Sequence, residues 1–392
     1  MAKRGVQDAA LRGRRVLLRV DFNVPQDASG QIADDWRIQE ALPTLNHLRA
    51  GGARTILLTH LGRPHGQRDP KFSLKPIARR LSSLLGQPVP LADDIVGIHA
   101  LEMSARVENG QFLMLENLRF HPGEEANDPA FAGQLARLGE LFVQDAFAVL
   151  HRAHASTVGV PKRLPSVAGL LVEREVRELT PLVTNPAHPY AVIIGGAKVA
   201  DKLPLLTSFC GRADSILIGG ALAFPFLAAA GHSVGTSPMD AALLPAVARF
   251  TEQAAAAGTK LELPTDLIID RPGGAPPSAV AVDAVPADAA AHDIGPATRA
   301  RFRDALQGTR TVFWNGPLGQ TEDARFAAGT REVLGALASI PGHHVGGGGD
   351  SQRAAQELGV LGGFQFISTG GGASLEFVQG LELPGLAVLP DA

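Results

Sequence analysis

The chain has very little cysteine and no long apolar run. Cys210 is the only cysteine among 392 residues, and one thiol cannot form an intrachain disulfide, which is typical of a protein from a reducing compartment. The most apolar stretch, residues 221–230, contains Pro225 and is far too short to span a membrane. No apolar segment follows the basic Lys3 and Arg4, so no signal peptide is expected. We therefore expect a cytoplasmic protein without a membrane partner.

Positive charge is not in excess, and two common phosphate motifs are absent. Lys and Arg number 36 against 39 Asp and Glu, and no basic tail or block is present, which argues against a nucleic-acid partner. Nothing matches G-x-x-x-x-G-K-[ST], and no clean G-x-G-x-x-G follows an apolar run. These absences weigh against a P-loop nucleotidase, a standard dinucleotide site and a protein-kinase loop.

The length of the chain fits two domains of about 150–200 residues each. Short apolar runs alternate with longer segments of helical periodicity, which is typical of α/β folds with parallel sheets. Helical spacing over residues 37–50 and 74–85 predicts two helices, and the segment 172–183 predicts a third that joins the domains. Residues 271–292, rich in Pro, Ala and Gly, predict a weakly structured surface excursion.

In the first half of the chain, the apolar runs end in polar and cationic residues. Residues 16–20 lead into Asp21 and Asn23, which alternation places on one face of a strand, although a strand-end turn explains this string better when it is taken alone. Arg and His side chains accumulate at loop or strand-end positions, namely Arg37, His60, Arg63, Arg119, His151, Arg152 and His154. Converging cations repel one another unless an anion lies among them, and Arg donates bidentate hydrogen bonds to phosphate. The accumulation favours a bound phosphate or carboxylate over scattered surface charge.

In the second half, similar apolar runs end in glycine-rich turns. Residues 191–194 lead into Gly195-Gly196-Ala197-Lys198, and a helix beginning there would place Lys198 and Lys202 one turn apart. Like charges at that spacing destabilise a helix by roughly 0.2–0.5 kcal/mol, so a phosphate between them would explain the pair. The alternative is an amphipathic helix with a cationic solvent face. Because backbone N–H groups at helix N-termini bind phosphate, the preceding glycine pair favours a phosphate site.

Three more turns of this half are candidates for nucleotide contacts. Residues 346–349 precede Asp350 and Ser351, and a carboxylate there suits Mg²⁺ carried on phosphates, although an ordinary N-cap explains it equally well. Three glycines at 370–372 would allow close approach of a ligand or of another backbone. The string Trp314-Asn315-Gly316-Pro317 could wall a flat base, with Glu322 accepting from ribose hydroxyls, and a simple turn explains it equally well.

Taken together, these strings resemble the phosphoglycerate kinase family over essentially the whole chain. They are RVDFNVP at 19–25, DDWRI at 34–38, HLGRP at 60–64, ENLRF at 116–120, DAF at 145–147, HRAH at 151–154, GGAKVADK at 195–202, WNGP at 314–317, GGGDS at 347–351 and STGGGAS at 368–374. The resemblance implies two doubly wound, Rossmann-like α/β domains joined by a helix and hinge. It also implies a monomeric, cytoplasmic, glycolytic enzyme that transfers a phosphoryl group reversibly between 1,3-bisphosphoglycerate and MgADP, in line after hinge closure, giving 3-phosphoglycerate and MgATP.

By position, the resemblance also implies the site residues. The glycerate and its non-transferred phosphate would be held by Asp21, Asn23, Arg37, His60, Arg63, Arg119 and Arg152. The nucleotide, with Mg²⁺ on Asp350, would be held by Gly196, Lys198, Lys202, Gly219, Gly220, Gly295, Asn315, Pro317, Glu322, Gly348, Gly349, Asp350 and Ser351. Arg37 and Lys198 would meet the transferring phosphoryl group as the catalytic pair.

The same resemblance implies a division of the chain. A 3-phosphoglycerate-binding domain would cover residues 1–170, a connecting helix 171–186 and a nucleotide-binding domain 187–375, and the tail 376–392 would pack back on the first domain. Three features depart from the family pattern: Ala221 stands where a third glycine is usual, Trp36 stands where threonine is usual, and residues 148–150 lack the family's usual glycine and small residues. The charged positions are intact, so we expect these changes to alter affinity and to leave activity in place.

The residue inventory agrees with this reaction in one respect. No Ser-His-Asp set and no obvious general base is present. A carboxylate nucleophile is already ionised at neutral pH and needs none, so catalysis reduces to positioning and charge neutralisation. Two other classes stay open: a catalytically inactive nucleotide- or phosphoglycerate-binding protein of the same fold, and a nicotinamide-dependent oxidoreductase, which the absent dinucleotide motif disfavours.

Overall fold

The chain folds into two compact units. The structure, a computed structural model, describes residues 2–197, 199–272 and 276–392, with the backbone alone at position 350. Unit 1 comprises Met1–Arg177 and Glu382–Ala392, and unit 2 comprises Glu178–Leu381. Each unit is built on its own parallel sheet, and the two sheets are described in turn.

The sheet of unit 1 contains five parallel strands. They are β1 (Arg15–Arg19), β2 (Arg54–Leu58), β3 (Phe112–Met114), β4 (Leu141–Gln144) and β5 (Ser166–Ala168). Their spatial order is β3-β2-β1-β4-β5, so the chain order reverses between β1 and β4. In sheets of this kind, ligands bind beyond the carboxyl ends of the strands at that reversal point.

Alternation along β1 explains why both faces of this sheet are covered. Val16 and Leu18 pack into one apolar cluster together with Phe22, and Leu17 packs into the cluster on the opposite face. All four side chains are fully buried. Each such burial contributes about 1.5–3 kcal/mol relative to exposure. The alternation also places Arg19, the last residue of β1, on the Leu17 face at the carboxyl end.

Helices cover both faces of this sheet. They are α1 (Trp36–Glu40), α2 (Leu42–Ala50), α3 (Lys75–Leu85), α4 (Ile98–Arg106), α5 (Pro129–Ala136) and α6 (Leu170–Thr184). The helix predicted over 74–85 is confirmed by α3. The single helix predicted over 37–50 is wrong, because the chain forms α1 and α2 with a break at Ala41. Pro43 lies in the first turn of α2, where its missing N–H is tolerated, and it cannot lie inside a continuous helix without removing a hydrogen bond.

Helix α6 contains the last residues of unit 1 and the first residues of unit 2. The N-terminus of α6 is capped by Asp145, which directly follows β4. Its Oδ1 accepts hydrogen bonds from the backbone N–H of Leu171 at 2.9 Å and of Val172 at 3.4 Å. Asp145 is fully buried. Burial raises the pKa of Asp145 to about 7, against the hydrogen bonds from Thr44 and from the helix, which lower it.

Unit 2 contains a second parallel sheet and a smaller antiparallel one. Its strands are β6 (Tyr190–Ile194), β7 (Ser215–Ile218), β8 (Lys260–Glu262), β9 (Asp266–Asp270), β10 (Ser278–Ala281), β11 (Ala290–Ile294), β12 (Thr311–Asn315), β13 (His343–Gly346) and β14 (Phe366–Ile367). The parallel sheet has the order β14-β13-β12-β6-β7-β8, which reverses between β6 and β12. Both parallel sheets thus follow the doubly wound rule, and the predicted α/β fold class is confirmed.

The antiparallel sheet corrects one prediction. Its order is β10-β9-β11, so residues 278–281 and 290–294 form strands where a weakly structured excursion is predicted. The sheet buries Leu267, Ile269 and Ala291 against Phe224 and Leu227. The Pro- and Ala-rich composition hides these strands, because short side chains give little apolar alternation. Residues 273–275 lie outside the described residues.

The remaining helices belong mostly to unit 2. They are α7 (Val199–Phe209), α8 (Ala223–Ala229), α9 (Leu244–Ala256), α10 (Pro296–Leu306), α11 (Ala328–Gly335), α12 (Gly349–Glu357), α13 (Gly372–Val378) and, in unit 1, α14 (Pro384–Ala387). The end of the chain is tied to the N-terminal segment, where the Arg4 N–H donates to the Pro390 carbonyl at 3.0 Å and Lys3 pairs with Asp391 at 2.8 Å. In the described part of the chain, none of the helices has the length and apolar character that a membrane crossing requires.

The buried Asp145 carboxyl predicts a pH-dependent stability. Its folded pKa of about 7 lies above the unfolded value near 3.8, so its contribution is fully present below that unfolded value and is lost as the pH rises through the folded one. We expect Asp145→Asn to gain stability relative to the wild type between about pH 5 and about pH 8, by at most about 1.4 kcal/mol per pKa unit. Urea unfolding followed by circular dichroism at both pH values measures the difference. Asp128→Asn, which removes another helix-capping carboxylate of unit 1, is the matched control. A pH-independent difference for Asp145→Asn would contradict the assignment.

Candidate active site

The first candidate site lies where the chain order of the unit 1 sheet reverses. Asp21 and Asn23 follow β1, His60 follows β2, and Arg37 comes from α1. Arg37 Nη1 donates a short hydrogen bond to Asp21 Oδ2, and His60 Nδ1 lies 3.7 Å from Asp21 Oδ1. The structure therefore brings these predicted residues together at the carboxyl edge of the sheet.

The backbone of Gly62 is held on both sides by two other predicted residues. The Gly62 N–H donates to Asn23 Oδ1 at 2.9 Å, and the Gly62 carbonyl accepts from Arg119 Nη1 at 2.7 Å. Asn117 holds the same loop by donating from Nδ2 to the carbonyls of Leu61 and Phe72. The loop after β2 is thus fixed before any ligand is bound.

Positive charge is concentrated around His60. Burial first, and then the guanidinium groups of Arg19, Arg119, Arg37 and Arg152, hold the pKa of His60 well below its usual range. Burial and the nearby guanidinium groups of Arg119, Arg19 and Arg152 lower the pKa of His154 to about 4. Both imidazoles are therefore neutral at physiological pH, and the fixed positive charge of the site comes from arginine.

Protein carboxylates satisfy only part of this positive charge. Arg37 is paired with Asp21, and Arg119 Nε lies 3.2 Å from Glu125 Oε1. The second terminal nitrogen of Arg119, Nη2, is buried and has no hydrogen-bond partner among the described residues. A buried donor without a partner is costly, at about 1–3 kcal/mol, so it indicates a place for a ligand acceptor.

The two other predicted arginines of unit 1 are differently placed. Arg152 Nε lies 3.2 Å from His151 Nε2, and Arg152 is close enough to His60 to lower its pKa. Arg63 is exposed, directly after the fixed Gly62 peptide, and its guanidinium makes no hydrogen bond or ion pair with the described part of the chain. Its role as a ligand contact stays a prediction.

The second candidate site lies at the reversal point of the unit 2 sheet, between β6 and β12. Its loops approach so closely that side chains are excluded: a Cβ at Gly195 would overlap the Pro317 carbonyl oxygen. Gly220 has φ +61°, and a Cβ there would lie 2.8 Å from the Gly196 nitrogen. The Gly220 N–H donates to the Leu318 carbonyl at 2.8 Å, which ties the turn after β7 to the turn after β12.

Lys202 anchors this cluster of loops. It lies in the first turn of α7, and its ammonium donates a short hydrogen bond to the Gly195 carbonyl and another to the Asn315 carbonyl at 3.3 Å. Its cation is therefore held at the reversal point by backbone oxygens. The neighbouring Lys198, half of the predicted pair, lies outside the described residues.

Asn315 and Ser351 join β12 to the N-terminus of α12. Asn315 Nδ2 donates to the Gly347 carbonyl at 2.7 Å, and Ser351 Oγ accepts from the Gly316 N–H at 2.9 Å. Asn315 Oδ1 is buried and has no hydrogen-bond partner among the described residues. Gly348, with φ +98°, precedes the first helical residue Gly349. The side chain of Asp350 lies outside the described residues.

Of three further predicted nucleotide contacts in unit 2, one adjoins the loop cluster and two lie at other places. The Gly219 N–H donates to the Ile194 carbonyl at 3.0 Å, next to the loop cluster. Gly295 is the N-cap of α10, where a Cβ would overlap the Asp266 carboxylate. Glu322 is exposed, and it forms no hydrogen bond or ion pair with the described residues. Among the described residues, no hydrogen bond or ion pair links Gly295 or Glu322 to the loop cluster.

The interpretation of Trp314 as the wall of a flat-base pocket is wrong. The ring is fully buried in the core of unit 2 and stacks on Phe364 with centroids 5.3 Å apart. Its Nε1 donates to the Gly316 carbonyl at 2.7 Å. As part of β12, Trp314 points into the core, where it supports the turn and offers no face to a ligand.

The sequence interpretation missed the buried polar residues behind the first site. Arg19, Glu124 and Ser156 are each at most 1 % exposed and are bonded to one another. The sequence contains one indication of Arg19, because alternation along β1 places it on the same face as Asp21 and Asn23. Glu124 comes from a turn and Ser156 from a short helical segment (Ala155–Gly159), both far along the chain, and no spacing rule connects them to β1.

Comparisons with known proteins agree with this geometry. The family model described as phosphoglycerate kinase matches residues 6–381. A phosphoglycerate kinase of Pelotomaculum thermopropionicum is 48% identical over 394 residues, covering 100% of each chain, and one of Moorella thermoacetica is 46% identical over 393 residues, also covering 100% of each. The solved structure of phosphoglycerate kinase from Coxiella burnetii superposes with a TM-score of 0.89 at 37% identity, covering 98% of each chain. That from Pyrococcus horikoshii OT3 superposes with a TM-score of 0.87 at 32% identity, covering 99% of this chain and 98% of the other.

The close approach of backbones at Gly195 gives a testable prediction. We expect Gly195→Ala to push apart the turns after β6 and β12, lowering the melting temperature and weakening ADP binding, because the atom in the way is a backbone carbonyl oxygen. Such overpacking costs about 1–3 kcal/mol. Gly362→Ala is the matched control, since its Cβ meets no atom within 4 Å. Calorimetry and thermal unfolding measure both effects, and equal behaviour of the two variants would refute the prediction.

Proposed function

The chain belongs to the phosphoglycerate kinase family, and on that premise we propose how its own residues carry out the reaction. It is a phosphotransferase that moves a phosphoryl group reversibly between 1,3-bisphosphoglycerate and ADP, giving 3-phosphoglycerate and ATP. The assignment of each ligand to a unit and of each role to a residue is the proposal. The family premise and the single cysteine support a cytoplasmic location, and a monomer is proposed on the family premise alone.

The site in unit 1 holds 3-phosphoglycerate. The observation that carries this proposal is the buried, unpartnered Nη2 of Arg119 among further arginines around a neutral His60. A phosphate or carboxylate oxygen would complete the hydrogen bonding of Arg119, and it would balance charge that Asp21 and Glu125 leave uncompensated. Asn23 and Arg63 supply the remaining polar contacts, and Arg152 lies on the same side as His60.

The loop cluster of unit 2 holds the nucleotide. The N-termini of α7 and α12 lie beside this cluster and favour phosphate, and the buried, unpartnered Asn315 Oδ1 offers a hard oxygen beside the start of α12. Lys202, Ser351, Gly196, Gly219, Gly220, Gly295, Pro317, Glu322, Gly348 and Gly349 complete the proposed set. ADP and ATP bind as magnesium complexes, with Asp350 proposed as the protein carboxylate that contacts the ion.

The chemistry requires no general base. A carboxylate oxygen of 3-phosphoglycerate forms a bond to the γ-phosphorus of ATP while the bond to the β–γ bridging oxygen breaks, and the electron pair leaves on ADP. The attacking carboxylate is already ionised at neutral pH. Arg37 and Lys198 are proposed to neutralise charge on the transferring group. The ligands are assigned to separate units, so the reaction requires them to be brought together, and closure of the site would protect the acyl phosphate from water.

A coupled assay tests the whole proposal. ATP- and 3-phosphoglycerate-dependent oxidation of NADH, with glyceraldehyde-phosphate dehydrogenase as coupling enzyme, is expected to occur with magnesium and to disappear when the ion is chelated. Well-folded protein that binds nucleotide in calorimetry without turnover would support the inactive binding protein instead.

Kinetics of two arginine variants test the separation of roles in unit 1. Arg37 touches Asp21 at the centre of the site, whereas Arg63 is exposed and bonded to no described residue. We expect Arg37→Ala to lower kcat by about 10²–10³-fold, as loss of a transition-state donor does. Arg63→Ala is expected chiefly to raise the KM for 3-phosphoglycerate, because it removes ground-state binding. An unchanged kcat in Arg37→Ala would overturn its catalytic role.

A further inference from the structure

A chain of buried polar side chains runs from His60 into the interior of unit 1. Arg19 Nη2 lies 3.4 Å from His60 Nδ1, and Arg19 Nε donates to Ser156 Oγ at 2.8 Å. Ser156 Oγ donates in turn to Glu124 Oε1 at 2.5 Å, and the Ser156 N–H donates to Glu124 Oε2 at 3.0 Å. All four residues are buried, at 3 % exposure or less. The Nδ1 side of His60 therefore faces the buried guanidinium of Arg19.

The direction of the hydrogen bond between Arg19 and His60 is determined by chemistry. A guanidinium has five N–H donors and no acceptor, so His60 Nδ1 has to accept. A neutral imidazole carries one hydrogen, which then lies on Nε2. Arg19 Nη1 is held by a short hydrogen bond to the Val20 carbonyl, so all three of its nitrogens are engaged and the group cannot turn to another partner.

We propose that Arg19 is a positioning residue of the phosphoglycerate site, whose guanidinium holds His60 in the neutral tautomer with its hydrogen on Nε2. His60 then offers one N–H donor and no charge to an oxygen of 3-phosphoglycerate. This inference rests on the proposed function of unit 1. Arg19 is fully buried and acts through His60, so it is distinct from the arginines that contact the ligand.

The neighbours of His60 show what Arg19 prevents. Asp21 Oδ1, 3.7 Å from His60 Nδ1, would favour the opposite tautomer, but it is beyond hydrogen-bond distance and accepts instead from the Asn23 N–H at 3.2 Å. The other charged groups that act on His60 are the guanidinium groups of Arg37, Arg119 and Arg152, which disfavour an imidazolium. Without Arg19, the ring can turn its hydrogen toward Asp21 and can be protonated more easily.

This arrangement separates ligand binding from histidine protonation. The positive charge that meets the ligand comes from arginines, which stay charged at any physiological pH. A histidine with its usual pKa near 6.5 would instead change charge in the middle of that range. Burial and the surrounding guanidinium groups, of which Arg19 acts most strongly, thereby keep the affinity for 3-phosphoglycerate from varying with the protonation of His60.

Nitrogen-15 NMR of the imidazole rings tests the proposal directly. In the wild type, the spectrum of His60, assigned by its loss in His60→Gln, is expected to show an unprotonated Nδ1 and a protonated Nε2, unchanged from about pH 5.5 to about pH 8. A protonated Nδ1 in the wild type would overturn the proposal, and this result requires no other variant to fold.

The double variant Arg19→Met with Glu124→Gln removes the guanidinium without leaving a buried carboxylate unpaired. In it, we expect hydrogen on Nδ1 and a His60 pKa above that of the wild type, because the guanidinium that lowers it most is gone while burial and the other arginines remain. The Kd for 3-phosphoglycerate, measured by calorimetry, is expected to rise roughly three- to thirtyfold at about pH 8, the effect of one hydrogen bond, and to recover relative to the wild type toward about pH 5.5. An unchanged tautomer in this variant would contradict the proposal.

Ser156→Ala is the matched control, since it removes a partner of Arg19 but leaves the Arg19–His60 contact. We expect Ser156→Ala to lower the free energy of unfolding and to keep the wild-type tautomer of His60. If this variant also lost that tautomer, the change would follow from general loosening of the site, and the role of Arg19 would be rejected.

The proposed function and the inference about Arg19 can be tested separately. Wild-type protein that does not bind 3-phosphoglycerate would refute the proposed function, whatever tautomer His60 shows. Wild-type protein that binds it with the other tautomer would sink only the inference about Arg19.

Discussion

The first site depends on holding several guanidinium groups at one edge of a sheet while most of them are withdrawn from water. Two like charges 4 Å apart near a protein surface repel by about 4 kcal/mol. The fold offsets this repulsion with two protein carboxylates, one at the ligand side and one in the interior. Asp21 pairs with Arg37 at the ligand side, and the buried Glu124 balances the charge of the fully buried Arg19 through Ser156. Compensation stops short of Arg119 Nη2, which is left for a ligand oxygen. The site is therefore organised in advance for an anion.

The second site, the loop cluster of unit 2, contains few charged side chains among the described residues. Its backbones approach so closely at Gly195 and Gly220 that only glycine is tolerated, and the ammonium of Lys202 is held by carbonyl oxygens of the same turns. A ligand that brings its own divalent cation needs less fixed positive charge from the protein than a bare phosphate does. The contrast between an arginine-lined edge in unit 1 and a glycine-lined edge in unit 2 thus suits one small anionic substrate and one magnesium nucleotide.

Much of the strand framework could be predicted from the sequence, because parallel strands buried on both faces are continuous apolar runs with distinct ends. The runs at 16–20 and 191–194 correspond to β1 and β6, and the face of β1 that carries Asp21 and Asn23 follows from alternation. The predictions failed where local chemistry overrides a pattern. Pro43 divides the predicted helix over 37–50, and small side chains hide β10 and β11. Trp314, which as a motif looked available to a ligand, is a core residue because it precedes the turn and belongs to the strand.

The sequence by itself determined which chemical groups stand at the carboxyl ends of the strands, because strand, turn and charge are local properties of consecutive residues. It thereby determined the fold class, and it is the basis of the ligand that we propose for each half. Only the tertiary structure decided the partners: which carboxylate balances which arginine, which donor stays unsatisfied, and which hydrogen His60 carries. Arg19 lies more than a hundred residues along the chain from both Glu124 and Ser156, and the three meet only in the folded unit. Charge balance and tautomer are consequences of such long-range contacts, and no spacing within one segment contains them.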